Sequence, residues 1–117
     1  MNEQELFNLL IDRLSNHTGC MPYTRFIYLN IGVRRGEQAL LYSIPNNRFG
    51  RPNTKGVNIS EFHSAYLQFT ESGEITAKWF RINLQPSFYE GGCNFKFLGG
   101  CFIIAGILGQ YERGRFY

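Results

Sequence analysis

The sequence predicts one α+β domain spanning residues 1–117. Three observations carry that prediction: helical apolar spacing near the N-terminus, two β-forming runs around a short turn, and two capped helix starts after residue 56. A chain of 117 residues sits near the common size of one domain and buries roughly two-thirds of its unfolded surface. Apolar residues make up 44% and aromatic residues 16%, so a core built from rings is expected and global disorder is not.

The elements follow in order. Leu6, Leu9, Leu10 and Leu14, widened by Phe7 and Ile11, predict a helix from about Gln4 to Ser15, ended by Asn16, His17 and Gly19. TRFIYLNIGV and EQALLYSI are rich in β-formers and flank Arg34, Arg35 and Gly36, which predicts a β-hairpin. IPNNRFGRPNTKG, residues 44–56, reads as a long basic loop because of its prolines, glycines and asparagines.

Beyond it Asn58 caps a helix, Glu61 stands at the third position as in a capping box, and Val57 is placed to staple to Phe62. Gly73 stops that helix. Thr76 then caps a second one, with Ile75 placed to staple to Phe80, Trp79, Phe80 and Leu84 facing inward, and Pro86 closing it after Gln85. The pair forms a tight helix-turn-helix corner in the geometric sense. PSFYEGGCNF reads as a loop. The segment FKFLGGCFIIAGILGQY reads either as a Gly-rich C-terminal helix or as strands turning at Gly99-Gly100, and the helix is preferred. An aromatic tail follows, expected to dock on the body or on a second subunit.

Charge is unevenly spread. Residues 1–43 carry four acids and four bases, and residues 61–117 carry five of each, so the net charge of +3 comes entirely from Arg48, Arg51 and Lys55. Three cysteines are too few and odd in number for a disulfide framework, which favours a reducing, cytoplasmic setting. The N-terminus lacks the basic region of a signal peptide, and the longest nearly apolar run, 97–108, is too short to span a bilayer, so no membrane role is expected.

Catalytic and metal chemistry find little support. His17 and Cys20 have zinc-ligand spacing, but no second compact pair accompanies them; a helix-end histidine and core thiols are the plainer reading. Cys93, His63 and Glu61 contain the groups of a nucleophilic triad with nothing in sequence to bring them together. Glu61 is better explained by capping and Glu74 by a pair with Lys78. GxGxxG and GxxxxGK[ST] are absent. No metal, cofactor or catalytic residue is assigned.

The remaining signal is basic and aromatic. Lys78, Arg81 and Gln85 share one face of the second corner helix, and with Arg48, Arg51 and Lys55 they are the candidate contacts to nucleic acid or another anion. Five phosphate contacts would give a log K against log salt slope near about −4 on duplex DNA. A solvated polar face is the plainer alternative. The leading expectation is a small cytoplasmic nucleic-acid-binding or accessory protein. A rival is a homo-oligomer, a dimer above all, with an interface of Cys101, Ala105, Gly109, Tyr111, Phe116 and Tyr117. A third is a small-molecule binder with a ring-lined pocket.

Overall fold

Asn2 opens the first helix with a reciprocal cap. Its side chain accepts from the Glu5 backbone N–H at 2.8 Å, and the Glu5 carboxylate accepts from the Asn2 N–H at 3.0 Å, satisfying two donors that a helix start leaves unpaired. The computed structural model describes residues 1–45 and 53–117. It shows an α+β fold of five helices and two small antiparallel sheets among those residues. Helix α1 (Glu3–Ser15) buries Leu6, Phe7, Leu10 and Leu14.

Strands β1 (Ile27–Arg34) and β2 (Glu37–Ile44) form the expected hairpin, and β3 (Asn53–Asn58) completes a sheet of order β1-β2-β3. The turn is tight, with Arg35 at φ 51° and Gly36 at φ 78°. Both central residues are left-handed, the geometry that matches the twist of the strands it joins. Part of the expected long loop is therefore corrected: residues 53–56 are strand, because Val57 and Gly56 pair with Leu40 and Leu41 and carry the ladder back to Asn53. Arg48 and Arg51 lie outside the described residues.

Helix α2 (Ile59–Ser72) starts as read, with the Asn58–Glu61 capping box in place and Gly73 at φ 80° ending it. Val57 and Phe62 are both fully buried. Strand β4 (Ile75–Thr76) leads into α3 (Ala77–Asn83), whose Trp79 N–H is accepted by the Thr76 hydroxyl. That helix ends at Asn83, before Pro86. The proline instead sits in the first turn of α4 (Gln85–Glu90), where a missing N–H costs nothing, so the expected loop at 86–95 is corrected to α4 and the start of α5.

Helix α5 (Cys93–Ile104) is the centre of the core, and the helical reading of this segment holds. Phe97 stacks on Tyr42 at 4.1 Å between ring centroids, Phe102 meets Phe62 at 6.0 Å, and Phe95 meets Phe80 and Phe116 at 5.7 and 5.1 Å. The tail folds back as β5 (Tyr111–Glu112) and β6 (Arg115–Phe116), giving a second sheet of order β4-β6-β5. Phe116 is fully buried with its ring on Gly99, where a Cβ would collide with it. Among the described residues no helix is long and apolar enough to cross a membrane.

Candidate nucleic-acid interface

Those of the expected cationic contacts that lie among the described residues come from different elements. Lys78 and Arg81 are exposed on α3, as a helical spacing of three requires. Gln85 does not extend their face: Leu84 interrupts the helix and Gln85 begins α4. Lys55 is held rather than free, donating from Nζ to the Glu90 carbonyl at 2.6 Å. Glu74 pairs with Arg115 at 3.5 Å, not with Lys78, because it lies between α2 and β4 instead of in a helix.

The expected subunit interface is also redistributed. Cys101 points into the core and is fully buried, Ala105 is the buried cap of α5, and Gly109 lies beyond that helix, so the three form no exposed small-residue stripe. Phe116 docks on the chain's own body. Tyr111 and Tyr117 stay half-buried, with Arg115 over the Tyr117 ring at 4.2 Å.

A polar clamp joins the hairpin turn to the middle of the chain. Arg35 donates to both Glu61 oxygens at 2.7 and 3.0 Å, to Glu90 Oε2 at 2.9 Å and to the Gly56 carbonyl at 2.9 Å. Glu90 also accepts from the Gly56 N–H at 3.0 Å and the Asn94 amide at 3.3 Å, and lies 3.4 Å from Arg34 Nε. Buried Asn94 accepts from the Tyr42 hydroxyl at 2.6 Å and donates to the Ser87 carbonyl at 3.0 Å. Burial alone would lower the Arg35 pKa and raise that of Glu90. The bonds to Glu61 and Glu90 outweigh burial at Arg35 and raise it, while the Gly56 N–H, the Asn94 amide and the two arginines outweigh burial at Glu90 and lower it from its ordinary value. Burial above all pushes the Tyr42 phenol far above its usual range.

The clamp ties the hairpin turn to α2 and α4. Among the described residues every buried side-chain N and O atom has a hydrogen-bond partner, those of the clamp included. It also removes the triad on paper: Glu61 is committed to Arg35 and its own helix cap, and it orients no histidine. His17 Nε2 lies 3.0 Å from the Cys20 carbonyl. Among the described residues no cluster of three or more His, Cys, Asp or Glu is arranged to hold a metal.

A cleft of about 230 Å³ opens elsewhere, between the chain entering β1, the end of β2 and α5. Tyr23, Thr24, Arg25, Phe26, Ile44, Pro45 and Lys96 line it. The turn that shapes it is fixed by hydrogen bonds: Met21 N–H to the Phe26 carbonyl at 2.8 Å, Thr24 N–H to the Met21 carbonyl at 3.1 Å, and Phe26 N–H to the Thr24 hydroxyl at 3.0 Å. Tyr23 sits there at φ 61°, a left-handed conformation that a bulky residue adopts at a cost, and its ring is more than half exposed. The Tyr111 ring lies 5.5 Å from it, with Lys96 Nζ 5.6 Å from the Tyr111 centroid.

Among the described residues no carboxylate lines the cleft, and neither Arg25 nor Lys96 is in an ion pair. Two cations, the exposed Tyr23 ring and the half-buried Phe26 ring therefore line one concave surface. The sequence reading did not single out Tyr23, Arg25, Phe26 or Lys96. The alternation of ring and cation in YTRF was a visible signal, absorbed there into the β-run. Lys96 stands out only as the lone charged residue of α5. Comparison with known proteins supplies no relative: no protein family, no curated protein and no solved structure matches this chain.

Proposed function

We propose that the protein binds single-stranded nucleic acid, seating one unpaired nucleotide in the cleft between Tyr23, Phe26 and Lys96. One observation carries this reading: the cleft joins Arg25 and Lys96 to the exposed Tyr23 ring and the half-buried Phe26 ring, with no carboxylate among its described lining residues. Cations neutralise phosphate, and ring faces stack bases without regard to sequence, which is the usual chemistry of single-strand binders. Size favours one unit of a polymer over a free ligand, since sites that enclose drug-sized molecules run to about 300–1,000 Å³ and this cleft is smaller. The α3 corner suits duplex binding less well. Its helix is only seven residues long, and the tail hairpin crowds its start, with the Ala77 N–H bonded to the Gly114 carbonyl at 2.8 Å.

Lys78 and Arg81 extend the same proposal as exposed cations that a longer strand would reach. A reducing, cytoplasmic setting belongs to it as well, supported by three free thiols. Self-association is a second reading, favoured by a separate observation, the open apolar edge of β1.

The test is fluorescence anisotropy with labelled oligo-dT and oligo-U in a salt series. Two phosphate contacts predict a log K against log salt slope near about −1.4, and Tyr23→Gly, which suits the left-handed backbone, should weaken binding about tenfold or more. Arg25→Ala/Lys96→Ala should flatten the slope while leaving the fold intact. No binding of the wild-type chain at low salt, or binding untouched by all three substitutions, refutes the proposal.

A further inference from the structure

Two of the side chains that line the cleft are of a kind that a protein surface leaves free to move. The Tyr23 ring is more than half exposed, and Lys96 carries its charge at the end of a flexible four-carbon stem. Both nevertheless meet a single ring that does not line the cleft. The Tyr111 centroid lies 5.5 Å from that of Tyr23, with the planes 52° apart, and 5.6 Å from Lys96 Nζ. The first separation is that of a favourable aromatic pair, and the second is within reach of a cation–π contact. Tyr111 therefore stands behind the cleft wall and touches one ring and one cation of its lining.

Tyr111 is itself held firmly. It opens β5, where it is paired with Phe116 of β6, and the two ring centroids are 4.7 Å apart. Phe116 is fully buried against Gly99 of the central helix. The backbone closes the same hairpin: Gly109 and Gln110 donate to the Tyr117 carbonyl at 3.0 and 2.9 Å, and the Tyr117 N–H donates to the Gln110 carbonyl at 3.0 Å. Support thus runs from the core through Phe116 and Tyr111 to two surface groups that belong to different parts of the chain. Tyr23, Lys96 and Phe116 already crowd the half-buried Tyr111 ring, so it acts on a ligand through them rather than by stacking a base itself.

We propose that Tyr111 is the positioning residue of the cleft, holding the Tyr23 ring and the Lys96 ammonium in the arrangement that a nucleotide meets. The ligand is that of the single-strand reading, on which this inference rests, whereas the arrangement is present in the free chain. A ring and a lysine left to rotate would have to be ordered on binding, and that ordering would be subtracted from the affinity. Tyr111 orders both beforehand. It does so with its ring and not its hydroxyl, so phenylalanine can take its place and an aliphatic side chain cannot. The C-terminal hairpin governs the cleft in this way without lining it.

NMR of the free chain, with anisotropy titrations of labelled oligo-dT, tests the proposal. The wild-type chain should show nuclear Overhauser contacts from the Tyr111 ring to the Tyr23 ring and to the Lys96 ε-methylene, whose two protons should be inequivalent. Tyr111→Leu, with an unchanged circular dichroism spectrum, should merge those two proton signals and weaken oligo-dT binding about tenfold. Tyr111→Phe should restore both. Missing contacts in the wild-type chain overturn the proposal, as does a folded Tyr111→Leu chain that binds as tightly as wild type, or Tyr111→Phe binding as weakly as Tyr111→Leu. If Tyr111→Leu fails to fold, the wild-type contacts decide. If the wild-type chain binds no oligo-dT at low salt, the single-strand reading falls and the Lys96 signals decide this inference: merging in Tyr111→Leu but not in Tyr111→Phe supports it, and no change overturns it.

Discussion

Replacing Arg35 with glycine separates the two things this residue does. The backbone at φ 51° suits glycine better than arginine, so Arg35→Gly relieves a left-handed conformation that costs a bulky residue about 1 kcal/mol. The same change removes a guanidinium that is largely buried, with its side chain 19% exposed, and that pairs with Glu61 at 2.7 Å and Glu90 at 2.9 Å. Breaking a buried pair from one side costs about 3–5 kcal/mol, because the surviving charge stays in a poorly solvated place. Arg34 and the Gly56 and Asn94 donors still serve Glu90, which places the loss toward the lower end of that range. The net expectation is a destabilisation of about 2–4 kcal/mol. At about 4 °C per kcal/mol for a domain of this size, the midpoint of thermal unfolding should fall by about 8–16 °C. Circular dichroism melts of the two proteins at pH 7 measure it, with Arg35→Ala expected to be worse than Arg35→Gly. A midpoint that stays put or rises in Arg35→Gly would show that the clamp contributes no net stability.

Three further outcomes follow from the same geometry. Glu90 has its pKa held below its ordinary value, so its contribution is present above that value and is lost as pH falls below about 4.5; melts from pH 7 to pH 3 should show that decline, and Glu90→Gln should reduce it. Gly99→Ala drives a methyl group into the buried Phe116 ring and should destabilise the fold by about 1–3 kcal/mol in urea titrations, with loss of the β4-β6 pairing. Tyr42→Phe leaves the buried Asn94 carbonyl oxygen without its 2.6 Å donor and should cost about 1–3 kcal/mol, and in the wild-type protein ultraviolet titration should find Tyr42 un-ionised at a pH where exposed tyrosines ionise.

How much of this was legible depended on whether the physics was local. The Asn58–Glu61 box, the Thr76 cap and the Gly73 stop are short-range chemistry, and each stands where the sequence placed it. The Asn2–Glu5 box is equally local, although the apolar stripe that marks the helix starts only at Leu6. Helix α5 was ambiguous for a physical reason: it is buried nearly all round, from Asn94 to Phe102, so no polar face remains to mark its period. The second sheet has strands of two residues, too short for any alternation to register. Arg35 read as a turn residue, and its partners lie 26 and 55 positions further on. An arginine where such turns favour asparagine or glycine was the one hint of a second role. The candidate cleft was hidden in the same way, since Tyr23 and Lys96 meet only once β1, β2 and α5 are assembled.

The floor of that cleft is one end of a column of rings. Phe26 rests on Tyr42 at 5.1 Å between centroids, and Tyr42 stacks on Phe97 of the central helix at 4.1 Å with the planes 15° apart. In the proposed complex a base at Phe26 would meet a surface already fixed by the packing of the whole domain, so little conformational entropy would be spent in ordering the site. Occupancy and folding are then linked quantities: a ligand at 100 times its dissociation constant should add about 2.7 kcal/mol to the stability of the core beneath it. Loosening Phe97, two rings away and out of any ligand's reach, should weaken binding at the surface.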